Sequence, residues 1–372
     1  MARLVSLLLF LSAVGLLHTT VRAEGGIGTL PVRGLHCNVP SKRDVPACIE
    51  FIKEVLPKEG VNTLIMEFNF GYDYKSRPEF GDPNALGKEQ VRQIAQACRE
   101  ARIELIPQIN CLGHQSWGEH TGALLTKHPE FDETPGKYPR NEGIYCRSYC
   151  PLHPDVHKVL FDLIDELAQA CEAKSFHVGM DEAFIIGDKD CPRCAGKDPA
   201  ELFAGEVKVL HEHLKKIGCK MWMWSDRFLD GKATGIGKWE ASENGTHPAI
   251  DKVPKDIVMC DWHYEKAYET PRFFAEKGFQ VVACPWRNAS VALAQLAHVR
   301  DVRADRTSLA PELGKGVVGD GALGMVQTTW CSFGAFIEAY NALEKGEKAA
   351  KGNASGSAAC FRALFDHIRS GK

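Results

Sequence analysis

The chain has 372 residues, of which 44% are hydrophobic, and its formal net charge is −3. This much apolar sequence can bury a large core, and it fits one barrel-sized domain or two smaller ones. The mild acidity, without a basic patch, argues against nucleic acid or anionic lipid as a partner.

Residues 1–23 have the order of a cleavable export signal. Arg3 gives a short basic start, an apolar run follows over residues 4–17, and small residues within 21–23 suit a cleavage site. The run is too short to cross a bilayer, and no later segment is long and apolar enough to do so. We therefore expect a signal peptide over 1–23, a mature chain beginning near Glu24, a secreted or periplasmic location and no membrane span. A buried first helix or a membrane anchor is the alternative.

Eight short runs rich in β-branched and apolar residues recur along the chain and predict strands. They cover residues 32–39, 61–69, 103–110, 175–181, 220–226, 257–264, 279–286 and 321–330. Between them, stretches such as 45–56 and 156–171 carry apolar residues at helical spacing. This alternation predicts an α/β fold, a single (β/α)8 TIM barrel over residues 24–343. An open doubly wound sheet is the alternative, but it usually has fewer strands, and no glycine-rich phosphate loop follows the first run.

Residues 344–372 are expected to lie outside the barrel. The composition of residues 344–358 is typical of a solvated linker, and residues 359–369 predict a short amphipathic helix that closes the chain.

The active site of such a barrel lies where the strands end and the βα loops begin. Polar and aromatic residues are concentrated at those positions: Asn38, Glu67, Asn69, Asn110, His114, Asp181, Glu182, Trp224, Asp226, Trp262, Tyr264, Trp286 and Trp330. The loops over 111–153 and 183–199 are long, as functional loops tend to be.

The strongest chemical signal is the adjacent pair Asp181 and Glu182 at the end of the fourth predicted strand. Neighbouring residues of an extended chain point to different sides, so one carboxylate can lie under a substrate while the other reaches a leaving group. Crowding also separates the pKa values of two acids, so that one is charged and the other protonated near neutrality.

Five of the seven tryptophans lie at or near strand ends: Trp222, Trp224, Trp262, Trp286 and Trp330. Indole faces stack on the apolar faces of sugar rings, and indole N–H groups donate to hydroxyls. A single such tryptophan is more often core, but five near one rim favour a sugar pocket.

The chain has 14 cysteines. Those within strand-like runs, such as Cys37 and Cys284, are expected to be small buried hydrophobic residues. The loop cysteines Cys146, Cys150, Cys191 and Cys194 belong to neighbouring βα loops and are expected to meet in one structural cluster. Their spacing suits zinc, whereas export favours disulfides, and independent free thiols are the third alternative.

The segment His177-Val-Gly-Met-Asp181-Glu182 resembles the His-x-Gly-x-Asp-Glu signature of glycoside hydrolase family 20, the β-N-acetylhexosaminidases, and is most similar to the hexosaminidase D-like branch. Leu112-Gly113-His114 is similar to the family's Gly-His element, residues 261–264 to its sixth-strand segment, and Trp330 to its eighth-strand tryptophan. The resemblance covers about residues 32–335.

The resemblance implies an exo-acting hydrolase that removes terminal N-acetylglucosamine or N-acetylgalactosamine from a glycan or glycoconjugate. The reaction would be retaining and assisted by the substrate's own acetamido group. Glu182 would be the general acid/base, Asp181 would stabilise the acetamido group, and His177 would support both. The implied substrate-binding residues are His114, Glu67, Trp224, Asp226, Trp262, Tyr264, Trp286 and Trp330. No cofactor or catalytic metal is expected, and oligomeric state is not indicated.

Two family features are missing, and both would contact outer hydroxyls of the terminal sugar. The first strand is not followed by the Ser-Arg-His that supplies an arginine, and Trp330 is not followed by the usual x-Glu. Glu67, Asp226 or Arg43 could take over those contacts. Two other functions remain open: a retaining glycosidase that uses Asp226 or Glu67 as a nucleophile about 5 Å from Glu182, and a sugar-binding barrel without catalysis.

Overall fold

The computed structural model describes residues 30–347 and 352–371, and its main feature is a closed barrel of eight parallel strands. The strands are β1 (Val32–Asn38), β2 (Thr63–Glu67), β3 (Glu104–Cys111), β4 (Ser175–Gly179), β5 (Lys220–Trp224), β6 (Val258–Trp262), β7 (Gln280–Cys284) and β8 (Ala322–Ser332). Strands adjacent in the barrel follow chain order, and β8 pairs with β1 to close the sheet. The predicted single (β/α)8 barrel is confirmed, whereas the signal peptide predicted over 1–23 lies outside the described residues.

Helices cover the outside of the barrel. They are α1 (Val45–Glu54), α2 (Lys88–Glu100), α3 (Val156–Cys171), α4 (Pro199–Lys216), α5 (Thr270–Glu276), α6 (Ala289–Ala304), α7 (Phe333–Glu344) and α8 (Asn353–Ser370). Shorter helices lie at Leu56–Glu59, Ala123–Lys127 and Gly231–Thr234. β5 is followed by short helical segments, such as Gly231–Thr234, instead of a long helix. The segment between β5 and β6 therefore consists mostly of loop.

The last helix, α8, belongs to the outer layer of the barrel. It packs against β8, α6 and α7 and buries Phe361, Leu364 and Phe365. It begins at Asn353, so residues 353–358, which were predicted as linker, are helical. In the part of the chain described, no helix combines the length and apolarity needed to span a bilayer.

The interior of the barrel is apolar at its base and polar toward the carboxyl ends of the strands. Ile65, Ile106, Val258, Val282 and Val326 belong to the inner apolar cluster. Because side chains alternate along a strand, the inward positions further along carry polar groups, among them His36, Gln108 and His177. The change from apolar to polar filling places the chemistry at the predicted end of the barrel.

Candidate active site

The chain turns sharply directly after β4, and this turn carries Asp181 and Glu182. Gly179, Met180 and Glu182 all have positive φ values, of 68°, 75° and 47°. Such conformations are costly for residues other than glycine and are concentrated at functional sites. A Cβ on Gly179 would lie 2.7 Å from Asn110 Oδ1, so this glycine lets the turn approach β3. The strand therefore ends at Gly179, two residues before the predicted end.

His114 joins the two acids. Its Nε2 lies 3.1 Å from Asp181 Oδ2 and 3.0 Å from Glu182 Oε2. The neighbouring Gly113 permits this contact, because a Cβ there would lie 2.5 Å from the Asp181 carbonyl oxygen. Residues of the third and fourth βα loops, which are 67 or more positions apart, thus form one triad.

Burial and charge set the protonation of this triad. Burial alone would lower the pKa of His114, but Asp181 and Glu182 outweigh it and hold the pKa well above its ordinary value. Burial also raises the pKa of Glu182, although the hydrogen bond from His114 opposes the shift. The imidazolium thus sits between the two acids and neutralises one negative charge, while Glu182 is biased toward its protonated form. A carboxyl whose pKa is raised toward the working pH is suited to general acid catalysis.

Asp226 accepts a hydrogen bond from the backbone of Glu182 and so fixes the position of that residue. Asp226 Oδ2 accepts the Glu182 backbone N–H at 3.0 Å and the Arg227 Nε–H at 2.6 Å, and Trp262 Nε1 donates to Oδ1 at 3.3 Å. Its side chain is 0% exposed. The prediction that Asp226 binds substrate is therefore wrong in this structure: because all of its surface is covered, it positions Glu182 instead.

Three predicted aromatic residues are partly open and lie together on one wall. Trp330 Nε1 donates to the Tyr264 hydroxyl at 2.7 Å, and the Tyr264 ring lies 5.3 Å from that of Trp286 and 5.0 Å from that of Trp262. Trp262 is mostly buried. The φ angle of Trp330 is 48°, so the backbone at this residue is not in the extended conformation of the strand. The predicted aromatic wall is thus assembled as one contact group.

Trp224 and His177 lie deeper than the pocket surface. Trp224 is fully buried, and its ring lies 5.5 Å from that of Trp330 and 4.6 Å from that of His177. Trp224 therefore has no exposed surface for the substrate contact that was predicted, and it packs against Trp330 and His177. Burial, with help from His36, holds the pKa of His177 well below its ordinary value, so the imidazole is neutral. It supports the site by packing and accepts the Gly179 N–H on Nδ1 at 3.1 Å.

Glu67 is the last residue of β2, and two amide groups hold its carboxylate. Its two oxygens accept N–H groups of Asn69 at 2.8 Å and Gln108 at 2.9 Å. Burial, followed by the nearby charge of Asp181, raises the Glu67 pKa to about 7. A carboxyl that is half protonated near neutrality can both donate to and accept from hydroxyls. Arg43 was also named as a residue that could take over the missing sugar contacts. It lies on the surface beside Asp44, and its side chain is 84% exposed.

The structure adds an aromatic rim that the strand-end pattern did not identify. Trp117, Tyr145 and Trp239 are 66%, 38% and 47% exposed. Tyr145 is the centre of the group, with its ring 5.7 Å from Trp117, 5.0 Å from Trp239 and 6.0 Å from His114. Two features of the sequence could have indicated this rim: the three residues lie in long loops, and Trp117 and Trp239 are the two tryptophans away from strand ends.

A second feature that the sequence did not indicate is a set of ion pairs next to Tyr264. His263 lies 2.8 Å from Glu240 Oε2 and 3.3 Å from Asp261 Oδ1, and Glu240 Oε1 accepts the Tyr264 backbone N–H at 3.1 Å. Burial would lower the His263 pKa, but Asp261 and Glu240 outweigh it and raise the pKa to about 9. This ion-pair chain fixes the backbone that presents Tyr264.

Three of the four loop cysteines meet, as predicted, but the fourth does not. Cys150 Sγ lies 3.4 Å from Cys194 Sγ and 3.6 Å from Cys191 Sγ. Cys146 instead contacts the Glu182 carbonyl oxygen at 3.5 Å and does not belong to this cluster. The prediction of a four-cysteine cluster is wrong for Cys146, and Glu133 takes the fourth place.

Among the described residues, two groups bring the ligand atoms of three or more potential metal-binding residues within 4.8 Å of one another. One is Glu133 with the three cysteines. The other is His114 with Asp181 and Glu182, where the positive imidazolium already pairs with both acids.

Comparisons with known proteins show the family to which this chain belongs. The family model "Glycosyl hydrolase family 20, catalytic domain" matches residues 72–332. The beta-hexosaminidase of Porphyromonas gingivalis is 28% identical over 184 residues, which are 46% of this chain and 22% of that protein. The beta-hexosaminidase of Vibrio furnissii is 26% identical over 215 residues, or 56% of this chain and 31% of that protein. The chain thus spans less than a third of the length of either relative.

Solved structures share the fold. The chitobiase of Flavobacterium johnsoniae superposes with a TM-score of 0.58 at 17% identity, covering 91% of this chain and 51% of that one. An exo β-N-acetylglucosaminidase of Vibrio harveyi in complex with N-acetylglucosamine gives a TM-score of 0.57 at 16% identity, covering 92% of this chain and 58% of that one.

Proposed function

The chain belongs to glycosyl hydrolase family 20, and from this we propose that it is an exo-acting β-N-acetylhexosaminidase that cleaves terminal N-acetylhexosamine with retention. The observation that carries the proposal is the triad in which His114 Nε2 contacts both Asp181 and Glu182 at the carboxyl end of the barrel. It places Glu182, whose pKa is raised by burial, directly beside the carboxylate of Asp181, and substrate-assisted hydrolysis requires two such adjacent acids.

In the proposed mechanism, Glu182 protonates the glycosidic oxygen and the bond to the aglycone breaks. The acetamido oxygen of the substrate attacks the anomeric carbon, so that an oxazolinium ion forms without a protein nucleophile; family 20 is an exception to the two-carboxylate rule for this reason. Water, deprotonated by Glu182, then attacks the anomeric carbon from the face that the aglycone left, and the oxazolinium ring opens. Two inversions give net retention.

Asp181 stabilises the charge that develops on the acetamido nitrogen. One of its oxygens is used by His114, whereas Oδ1 is buried and has no hydrogen-bond partner within 30–347 and 352–371. A buried acceptor without a donor is costly, and the acetamido N–H would supply that donor. The hydroxyl of Tyr264, held by Trp330, would keep the attacking oxygen in line.

The ordinary two-carboxylate mechanism is less well supported. Asp226 is fully covered and accepts three N–H groups, so it has no free face for an anomeric carbon. Glu67 accepts two N–H groups and has a pKa raised to about 7, which makes it a weak anion near neutrality. Neither acid has the free, charged oxygen that a nucleophile needs.

We also propose that the rim of Trp117, Tyr145 and Trp239 binds the part of the glycan beyond the cleaved bond. The rim lies beside His114, and exposed aromatic faces stack on sugars. Replacing Trp239 by Ala should raise KM for an oligosaccharide more than for a nitrophenyl monosaccharide. Equal changes for both substrates would place the second sugar elsewhere.

Export is a further proposal, since residues 1–23 have the order of a signal peptide. N-terminal sequencing of protein from a secreting host should give a start near Glu24. An intact Met1 on protein that stays inside the cell would contradict it.

A panel of 4-nitrophenyl glycosides on the purified chain tests the proposed function. The N-acetylglucosaminide or N-acetylgalactosaminide should be hydrolysed, and Asp181→Asn and Glu182→Gln should each bind the product sugar but turn over more slowly. Binding of N-acetylglucosamine without hydrolysis of any glycoside would instead indicate a sugar-binding barrel.

A further inference from the structure

A buried cluster of three thiols and one carboxylate joins the third and fourth βα loops. Glu133 and Cys150 come from the loop after β3, and Cys191 and Cys194 come from the loop after β4. All four ligand atoms lie within 4.8 Å of one another, and all four residues are buried.

The spacing of the sulfurs fits a tetrahedral metal site. With Zn–S bonds of about 2.3 Å, two sulfurs of a tetrahedron lie about 3.8 Å apart. The two distances from Cys150, 3.4 Å to Cys194 and 3.6 Å to Cys191, are close to this edge. Cys191-Pro-Arg-Cys194 also has the Cys-x2-Cys spacing of structural zinc sites, and the Cys194 backbone N–H points to Cys191 Sγ at 3.3 Å.

Glu133 provides an independent observation. Its Oε1 accepts the backbone N–H groups of Gly187 at 2.8 Å and Asp188 at 3.2 Å. Its Oε2 is buried and accepts no N–H group in the described ranges; only the thiols of Cys191 and Cys194 lie against this carboxylate, and the residue is 0% exposed. A buried carboxylate oxygen without a donor costs free energy unless a cation binds it. The carboxylate is therefore preset, with one oxygen anchored and the other free to coordinate.

A disulfide would satisfy this cluster less well. It would bond two of the three sulfurs and leave the Glu133 carboxylate with at most one weak S–H donor from the third cysteine. A metal ion is bound by all four groups at once, and three thiolates with one carboxylate favour zinc over magnesium or calcium, which prefer oxygen ligands.

We propose that Glu133, Cys150, Cys191 and Cys194 bind one structural Zn²⁺ ion. Binding releases the three thiol protons to solvent and closes a four-coordinate site without an open position. The ion contacts no reacting atom. It ties together the two loops that carry His114, Tyr145 and Glu182, and so acts as a positioning element independent of which sugar the enzyme cleaves.

The first test is the metal content of the purified full-length chain, measured by elemental mass spectrometry. We expect one zinc per chain in the wild type and a large loss in Cys191→Ser and in Glu133→Gln. Cys219→Ser is the matched control: Cys219 is buried at the other end of the barrel, where its Sγ contacts the Ala173 carbonyl, and this variant should keep its zinc. Zinc content that is equal in Cys191→Ser and the control would overturn the assignment.

The second test uses only the wild-type protein, so its outcome does not depend on whether a variant folds. Apo protein prepared with a chelator is reloaded with Co²⁺, and the spectrum should show thiolate-to-cobalt charge transfer together with the intense visible bands of a tetrahedral ion. The thermal midpoint should fall on chelation and recover with zinc. A metal-free chain in which peptide mapping without reductant finds a disulfide within the cluster would contradict the proposal.

Discussion

At the scale of the residue, the proposed chemistry depends on the proton of Glu182. Replacing Glu182 by Gln should lower kcat/KM roughly 10²–10⁴-fold on substrates with poor, alkyl leaving groups. It should lower the rate much less on nitrophenyl glycosides, whose leaving group needs little protonation. Asp181→Asn is the matched comparison, because it should slow both substrates.

The pH profile is the second part of that test. Burial raises the Glu182 pKa, so activity on alkyl glycosides should fall as pH rises through that raised value, and the basic limb should be absent in Glu182→Gln. A loss of the same size on both substrate types, with an unchanged pH profile, would remove Glu182 from the role of acid.

His263 makes a separate prediction about stability. Its pKa is about 9 in the folded protein, above the ordinary 6.5, because Asp261 and Glu240 stabilise the imidazolium. The stabilisation is complete below about pH 6.5 and is lost as pH rises through about 9, at no more than about 1.4 kcal/mol per pH unit. Denaturant unfolding between pH 7 and 9.5 should therefore show a steeper decline for the wild type than for His263→Gln. Parallel curves would mean that the ion pair does not titrate in this range.

At the scale of the element, the site depends on two loops that approach at Gly113. Gly113→Ala places a Cβ against the Asp181 carbonyl oxygen, so one loop must move. We expect a cost of about 1–3 kcal/mol in the free energy of unfolding, and a loss of about 100-fold in kcat for a displacement near 1 Å.

Gly205 in α4 is the matched control, because a Cβ there meets no atom within 4 Å. Gly205→Ala should keep full activity and leave stability unchanged or raise it by about 1 kcal/mol. If Gly113→Ala behaves like Gly205→Ala in kinetics and unfolding, the close approach of the loops is not required.

The elements themselves could be predicted from the sequence, whereas the loops could not. β-branched runs such as 257–264 are dictated by local propensity and burial, and each predicted strand matches an observed one within a few residues. Glu133, Tyr145 and Glu240 lie in loops whose paths are set by contacts distant in sequence, so nothing local marked them as part of a site.

At the scale of the whole molecule, depth along the barrel axis separates the predicted site residues that keep exposed surface from those that are covered. Asp181, Glu182 and Trp330 were predicted from their positions at strand ends, and each keeps part of its side chain exposed in the structure. Asp226 and Trp224 follow the same rule, yet both are fully buried. Strand parity tells which side chains face the barrel interior, but how far each lies below the pocket depends on the stagger of neighbouring strands.

The central claim is that the substrate's acetamido group is the nucleophile and that Asp181 stabilises its cyclised form. The most direct measurement is the inhibition constant of a thiazoline analogue of the oxazolinium intermediate, for the wild type and for Asp181→Asn. We predict tight competitive inhibition of the wild type, far below the KM of the parent sugar, and a large loss of that affinity in Asp181→Asn, because transition-state-like ligands reveal the interactions that drive catalysis. Failure of the thiazoline to inhibit an enzyme that still hydrolyses N-acetylhexosaminides would contradict the mechanism and return the reaction to a protein nucleophile.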